Sequence, residues 1–195
     1  MSSSSSLCSW LGRDYAIVPN RGGGDCLFHV MSQATGLSMM QLKRAASGLA
    51  SREEFQIKRQ LYEDAKREWV RTRRSCYLDD ILSYGWMEGI GTLAQYRREL
   101  ARPGRWSDGE SIGRLEHLLR CRILLLCARS PTGTYPRPKS AGALPRFYVM
   151  VNYINDRHFE LITWKGYRCF ALRDLPSAIR QLFHLDGSRG QMKRH

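Results

Sequence analysis

No stretch of this 195-residue chain approaches the roughly 18 consecutive apolar residues that a membrane-spanning helix needs. The serine run at residues 2–6 lacks the basic flank and long apolar core of a secretory signal. The six cysteines (Cys8, Cys26, Cys76, Cys121, Cys127, Cys169) form no C-x-x-C pair, and their spacing to the five histidines matches no zinc-ligand signature. Free thiols in a reducing compartment are therefore expected, with no metal and no cofactor. Acidic residues are also few, 18 against 31 basic, and the net charge of +13 favours something negative as a partner: nucleic acid, an anionic membrane surface or an acidic protein face. Many of the basic residues fall in 52–74, interleaved with Glu53, Glu54, Glu63, Asp64 and Glu68, which reads as a solvated helix face.

With 43% hydrophobic residues the chain is long enough to bury a core without staples, and one domain over 14–184 is expected. Residues 1–13 read as a disordered leader and 185–195 as a basic disordered tail. Residues 15–19 form a short apolar run closed by Pro19, which suits a strand. A glycine turn follows, and Leu27, Val30, Met31 and Ala34 then keep helical spacing. Further helices are predicted over 39–49 and 52–73, the second with Phe55, Leu61, Ala65, Trp69 and Val70 as its inward stripe, and helical segments over 78–84 and 91–100. Ser107 to Glu110 has the form of a capping box that starts a helix to about 120. The apolar run 122–127 reads as a strand buried on both faces at the centre of a sheet. Residues 129–146, with four prolines, read as a long surface loop. Two strands, 147–154 and 159–164, flank a turn at 155–158; a third β-rich run covers 167–172, and a short amphipathic helix ends near 183.

The chemistry centres on Gly22-Gly23-Gly24-Asp25-Cys26. A flexible turn delivers a thiol to a helix start, where amide N–H groups and the positive end of the helix dipole favour a thiolate. A cysteine nucleophile needs a general base, itself oriented by a third group. Of the five histidines, His158 stands apart. It lies where two strands meet, 132 residues after the cysteine, and in a strand that begins at His158 the side chain of Glu160 would share its face. Cys26, His158 and Glu160 are the candidate nucleophile, base and orienter.

Gly24-Asp25-Cys26-Leu27-Phe28-His29 resembles the Asp-Gly-Asn-Cys-Leu-Phe-Arg motif of the ovarian-tumour (OTU) family of cysteine deubiquitinases. Arg105-Trp106-Ser107-Asp108-Gly109-Glu110, followed by a helix and Ile123-Leu124-Leu125-Leu126, is similar to that family's Trp-Gly segment, helix and buried strand. Val151-Asn152-Tyr153 followed by His158-Phe159-Glu160 is similar to its closing strand and His-aromatic-acid motif. Four segments in the family's order, over residues 15–165, are far more specific than any one of them. The helical first half looks like the compact viral members.

The resemblance implies an α+β fold, with a small mixed β-sheet flanked by helices and a helical N-terminal half. It implies hydrolysis of isopeptide bonds at the ubiquitin C-terminus, with ubiquitin or ubiquitin-like conjugates as partners. Gly23, Gly24 and Asp25 would form the oxyanion loop, Trp106 would line the substrate channel, and the setting would be the cytoplasm, the host's if the chain is viral or a secreted effector. Two departures stand out. The family's aspartate three residues before the cysteine is Gly23, and its usual Asp or Asn two after the histidine is Glu160, which leaves Asn155 or Asp156 as alternative orienters. Other readings are an OTU-type protease acting on a viral polyprotein, a catalytically weak ubiquitin-binding module, and a nucleic-acid-binding module.

Overall fold

A computed structural model describes residues 11–72, 83–107, 109–127, 144–155 and 157–186. The expected leader up to residue 10, most of the 78–84 helix, the loop 129–146 up to residue 143, Asp108, Asp156 and the tail from 187 lie outside the described residues. The chain divides into two units, one formed by residues up to Lys43 with those from Pro103 onward, the other by Arg44–Arg102.

The first unit is built on a four-stranded mixed sheet whose strands come from distant parts of the chain. Its members are β1 (Tyr15–Val18), β2 (Cys121–Leu126), β3 (Phe147–Ile154) and β4 (His158–Trp164). Their order is β1-β4-β3-β2, with β2 parallel to β3 and the other pairs antiparallel. The β3–β4 hairpin turns through Asn155, whose φ of 51° is the left-handed conformation asparagine tolerates, and Ile154 pairs with His158. His158 thus opens the strand instead of ending the turn.

The run expected at the sheet's centre forms β2, which is an edge strand. It is buried along nearly its whole length all the same, with α5 (Gly109–Leu119) packed against it. Apolarity on both sides of a strand reports layers above and below the sheet; it does not count the strands beside it. The run 167–172 likewise makes only single bridges, Tyr167 with Trp164 and Phe170 with Tyr148, and passes into a 3₁₀ turn at Leu172–Asp174. Lys165 and Gly166, both at positive φ, form the two-residue turn that brings Tyr167 back to Trp164.

Helix α1 (Cys26–Thr35) packs on β4 and β3 through Leu27, Val30 and Met31, all essentially inaccessible, and ends at Gly36 with the left-handed φ of 74° that a helix C-cap favours. Leu124, Leu126, Tyr148, Met150 and Ile162 of the sheet form a core cluster with Phe170, Leu175 and Ile179, the last of these on α6 (Ser177–Leu182). Each such residue contributes about 1.5–3 kcal/mol by leaving water.

The remaining helices are α2 (Met39–Gly48), α3 (Arg52–Thr72) and α4 (Leu93–Leu100). In the second unit Phe55, Tyr62, Met87, Tyr96 and Leu100 form the core, and the Tyr96 hydroxyl donates to Glu54 at 2.7 Å. The expected stripe of α3 is corrected here: Leu61 and Val70 are 43% and 56% exposed, and Tyr62 takes the inward place. Its ring supplies the apolar surface, and the Lys66 ammonium stands 5.6 Å from the ring centre. A capping box starts α4, where Thr92 and Gln95 exchange side-chain and backbone hydrogen bonds.

Candidate active site

Cys26 is the first residue of α1, as its place after the glycine turn predicts, and it is 1% exposed. Its thiol donates to the carbonyl of Arg157 at 3.9 Å, across 131 residues of sequence. The sulfur therefore lies against the backbone at the start of β4. Burial pushes the Cys26 thiol above its ordinary value; the N–H groups of Phe159, Leu27 and Cys26 pull it down, and the Asp25 charge adds a small upward push. The expectation of a thiolate favoured by the helix start is thus reversed at rest, because desolvation penalises the charged form more than these amides favour it.

His158 and Glu160 share one face of β4, with His158 Nε2 3.7 Å from Glu160 Oε1. Their side chains are 26% and 13% exposed, so the pair lies at the surface margin of the site. Glu160 is held in turn by Asn152, its register partner on β3, whose Nδ2 donates to Glu160 Oε2 at 3.3 Å. Glutamate's extra methylene is accommodated by this cross-strand support. Asn155 is exposed on the hairpin turn, and Asp156 lies outside the described residues.

The glycine turn is tied down by Asp25 and its surroundings. Gly23 has a φ of 110°, and the Cys26 N–H donates to its carbonyl at 3.3 Å. A Cβ at Gly24 would collide with the Gly104 carbonyl, so the turn lies flush against the 104–107 segment. The Asp25 carboxylate accepts from the Gly104 N–H at 2.7 Å and from the buried Lys43 ammonium, and Ser107 Oγ donates to the Gly24 carbonyl at 3.3 Å. Trp106, the expected channel residue, stands 56% exposed on this same segment.

Three contributors escape sequence reasoning. Asn152 leaves a signal, one amide in the apolar run Phe147–Ile154, and it is 2% exposed. Asn20, whose Nδ2 donates to the Phe159 carbonyl at 2.7 Å and fastens the approach to the glycine turn onto β4, leaves none beyond its neighbour Pro19. Lys43 reads as one more cation of a basic chain. Among the described residues no group of three or more His, Cys, Asp and Glu side chains is placed to hold a metal ion.

No family model matches this chain, and no curated protein matches it. Among solved structures, an ovarian-tumour domain in complex with ubiquitin is similar with a TM-score of 0.52 at 14% identity, covering 87% of this chain and 81% of that one. The viral OTU domain protease of Farallon virus (13% identity, 77% and 84% covered) and an OTU deubiquitinase from Wolbachia pipientis wMel (13%, 87% and 96%) are less similar, with TM-scores of 0.42 and 0.41. The likeness is one of fold, and it agrees with the mixed sheet and the helices around it: this chain has an α+β fold of the OTU type.

Proposed function

We propose that the chain is a cysteine-dependent deubiquitinase, cleaving isopeptide bonds at the ubiquitin C-terminus with Cys26 as nucleophile, His158 as general base and Glu160 as orienter. The observation that carries this reading is the convergence of the Cys26 sulfur, at the start of α1, on the backbone that begins β4 beside the His158–Glu160 pair. With Nε2 turned to the carboxylate, Nδ1 is the imidazole nitrogen left to serve the sulfur.

Burial pushes the Cys26 thiol above its ordinary value, so attack in this reading starts with proton transfer. His158 takes the Cys26 proton as sulfur adds to the glycine carbonyl, and Glu160 stabilises the imidazolium. The oxyanion is received by backbone N–H groups of the turn at Gly23, Gly24 and Cys26; one such donor contributes about 3–4 kcal/mol. The Cys26 N–H must exchange its 3.3 Å bond to Gly23 for this role, and at that length it gives up little. The C–N bond breaks as His158 returns the proton to the leaving lysine amine, giving a thioester. Water then attacks, its proton passing to His158 and on to the departing sulfur.

A ubiquitin propargylamide probe tests this directly. Wild type forms a covalent adduct at Cys26, Cys26→Ala forms none, and His158→Ala reacts roughly 10²–10⁴-fold more slowly while remaining folded. Absence of an adduct with reduced wild type overturns the proposal. The near-complete burial of Cys26 favours a second reading, a ubiquitin-binding module of weak activity; it predicts saturable ubiquitin binding without an adduct.

A further inference from the structure

Asp25 occupies the N-cap position of α1, yet its side chain makes no capping bond. A carboxylate there ordinarily accepts from the first free amides of the helix. Here it is turned away, onto the Gly104 N–H and the Lys43 ammonium. Lys43 is 1% exposed, and a lysine is almost never so buried without a partner. Its Nζ reaches Asp25 Oδ1 and, at 2.9 Å, the Arg105 carbonyl, and it stands 5.4 Å from the centre of the Phe28 ring. One ammonium thus joins the residue before Cys26, the backbone of the 104–105 segment and a ring on the first turn of α1.

We propose that Lys43 is a positioning residue for Cys26: its ammonium clamps the glycine turn to the 104–105 backbone through Asp25 and cancels the carboxylate charge beside the sulfur. The inference concerns a role in the chemistry proposed above and rests on that reading for its importance. The clamp itself is independent of any substrate. Gly23 has no side chain to anchor the turn, and Asp25 with Lys43 supplies that anchor from the other side of Gly24. Removing the cation leaves a carboxylate next to Cys26 with only the Gly104 amide to hold it. The negative charge then disfavours the thiolate, and the turn loses its tie to Arg105.

The test is the rate of Cys26 alkylation by iodoacetamide against pH, followed by peptide mass spectrometry, in wild type, Lys43→Met, Asp25→Asn and the double variant. His158 and Glu160 at the start of β4, and His29 three residues on in α1, carry no substitution in any of the four. In wild type the rate rises above the ordinary thiol range, because the folded value is raised. Lys43→Met leaves the carboxylate unopposed and is expected to react about tenfold more slowly at pH 8, its profile displaced to higher pH. Asp25→Asn leaves the ammonium unopposed and moves the profile to lower pH. The double variant, neutral at both positions, returns close to wild type. If Lys43→Met fails to fold, the order of Asp25→Asn, double variant and wild type carries the test. A purely structural Lys43 leaves the profiles superimposed, and that result overturns the inference. Reaction with the ubiquitin probe is measured alongside: Lys43→Met is expected to slow it about 10–100-fold, the cost of a misplaced nucleophile. If wild type does not react with the probe while the alkylation order holds, the deubiquitinase reading fails and the clamp stands.

Discussion

Residue-scale chemistry here depends on a carboxylate and its support. Glu160 meets His158 at 3.7 Å, longer than a hydrogen bond, while Asn152 holds its other oxygen. In the mechanism proposed, such a pair would orient the imidazole through charge more than through a fixed bond. Glu160→Gln is therefore expected to slow probe labelling by less than the roughly 10²-fold that a misplaced group costs. Asn152→Ala should act in the same direction and more weakly, since it frees the carboxylate without neutralising it. Labelling rates at matched stability check both. A fully active Glu160→Ala would transfer the orienting role to Asn155 or Asp156. The pairing of His158 with Glu160 was legible from their i, i+2 spacing, because alternate residues of a strand share a face. That Asn152 supports them was not, since register across the hairpin depends on the turn.

At the scale of elements, the glycine turn and the start of α1 are fixed by close approach of backbone to backbone. Gly24 has no room for a methyl group against Gly104, so Gly24→Ala is expected to destabilise the fold by about 1–3 kcal/mol, as overpacking does, and to displace Cys26 with it. Gly23 differs: a Cβ there meets no atom within 4 Å, but its φ of 110° disfavours any L side chain. Gly23→Ala, and equally Gly23→Asp, should cost about 1–2 kcal/mol through backbone strain alone. Urea denaturation of the three variants separates the effects, and a Gly23→Asp variant more stable than wild type would contradict the turn conformation described here. Ser107 also shows how local signals are shared between elements. Its spacing to Glu110 reads as a capping box, and its hydroxyl donates to the Gly24 carbonyl, so the segment that leads into α5 also braces the turn before Cys26.

At the scale of the whole molecule the outstanding feature is charge. On α3, Arg59 with Glu63, Arg67 with Asp64 and Arg71 with Glu68 form pairs within the helix that solvent screens, so they add little to stability. These pairs agree with the reading of 52–74 as a solvated face. Their acids are already counted in the net charge, and the +13 makes weak attraction to polyanions unavoidable. Binding of a short single-stranded oligonucleotide, followed by fluorescence anisotropy, is expected at low salt and lost near 150 mM, where the Debye length is about 8 Å. Tight binding that persists at that salt would favour the nucleic-acid reading over the one proposed.

The sequence by itself determined the local elements. The glycine run before Cys26, the helical spacing after it and the apolar runs of β2, β3 and β4 each act over a few residues, where backbone freedom and burial pattern decide the outcome. It also carried enough of the OTU pattern to point at Cys26, His158 and Glu160. Only the tertiary structure decided that β2 lies at the sheet's edge, that Tyr62 replaces Leu61 inside, and that the Cys26 sulfur is buried, which pushes its thiol above the ordinary value. The same holds for Lys43. Nothing local distinguishes it from the chain's other cations until folding brings Asp25 and the Arg105 carbonyl to it, because burial and charge compensation belong to contacts between segments far apart in the chain.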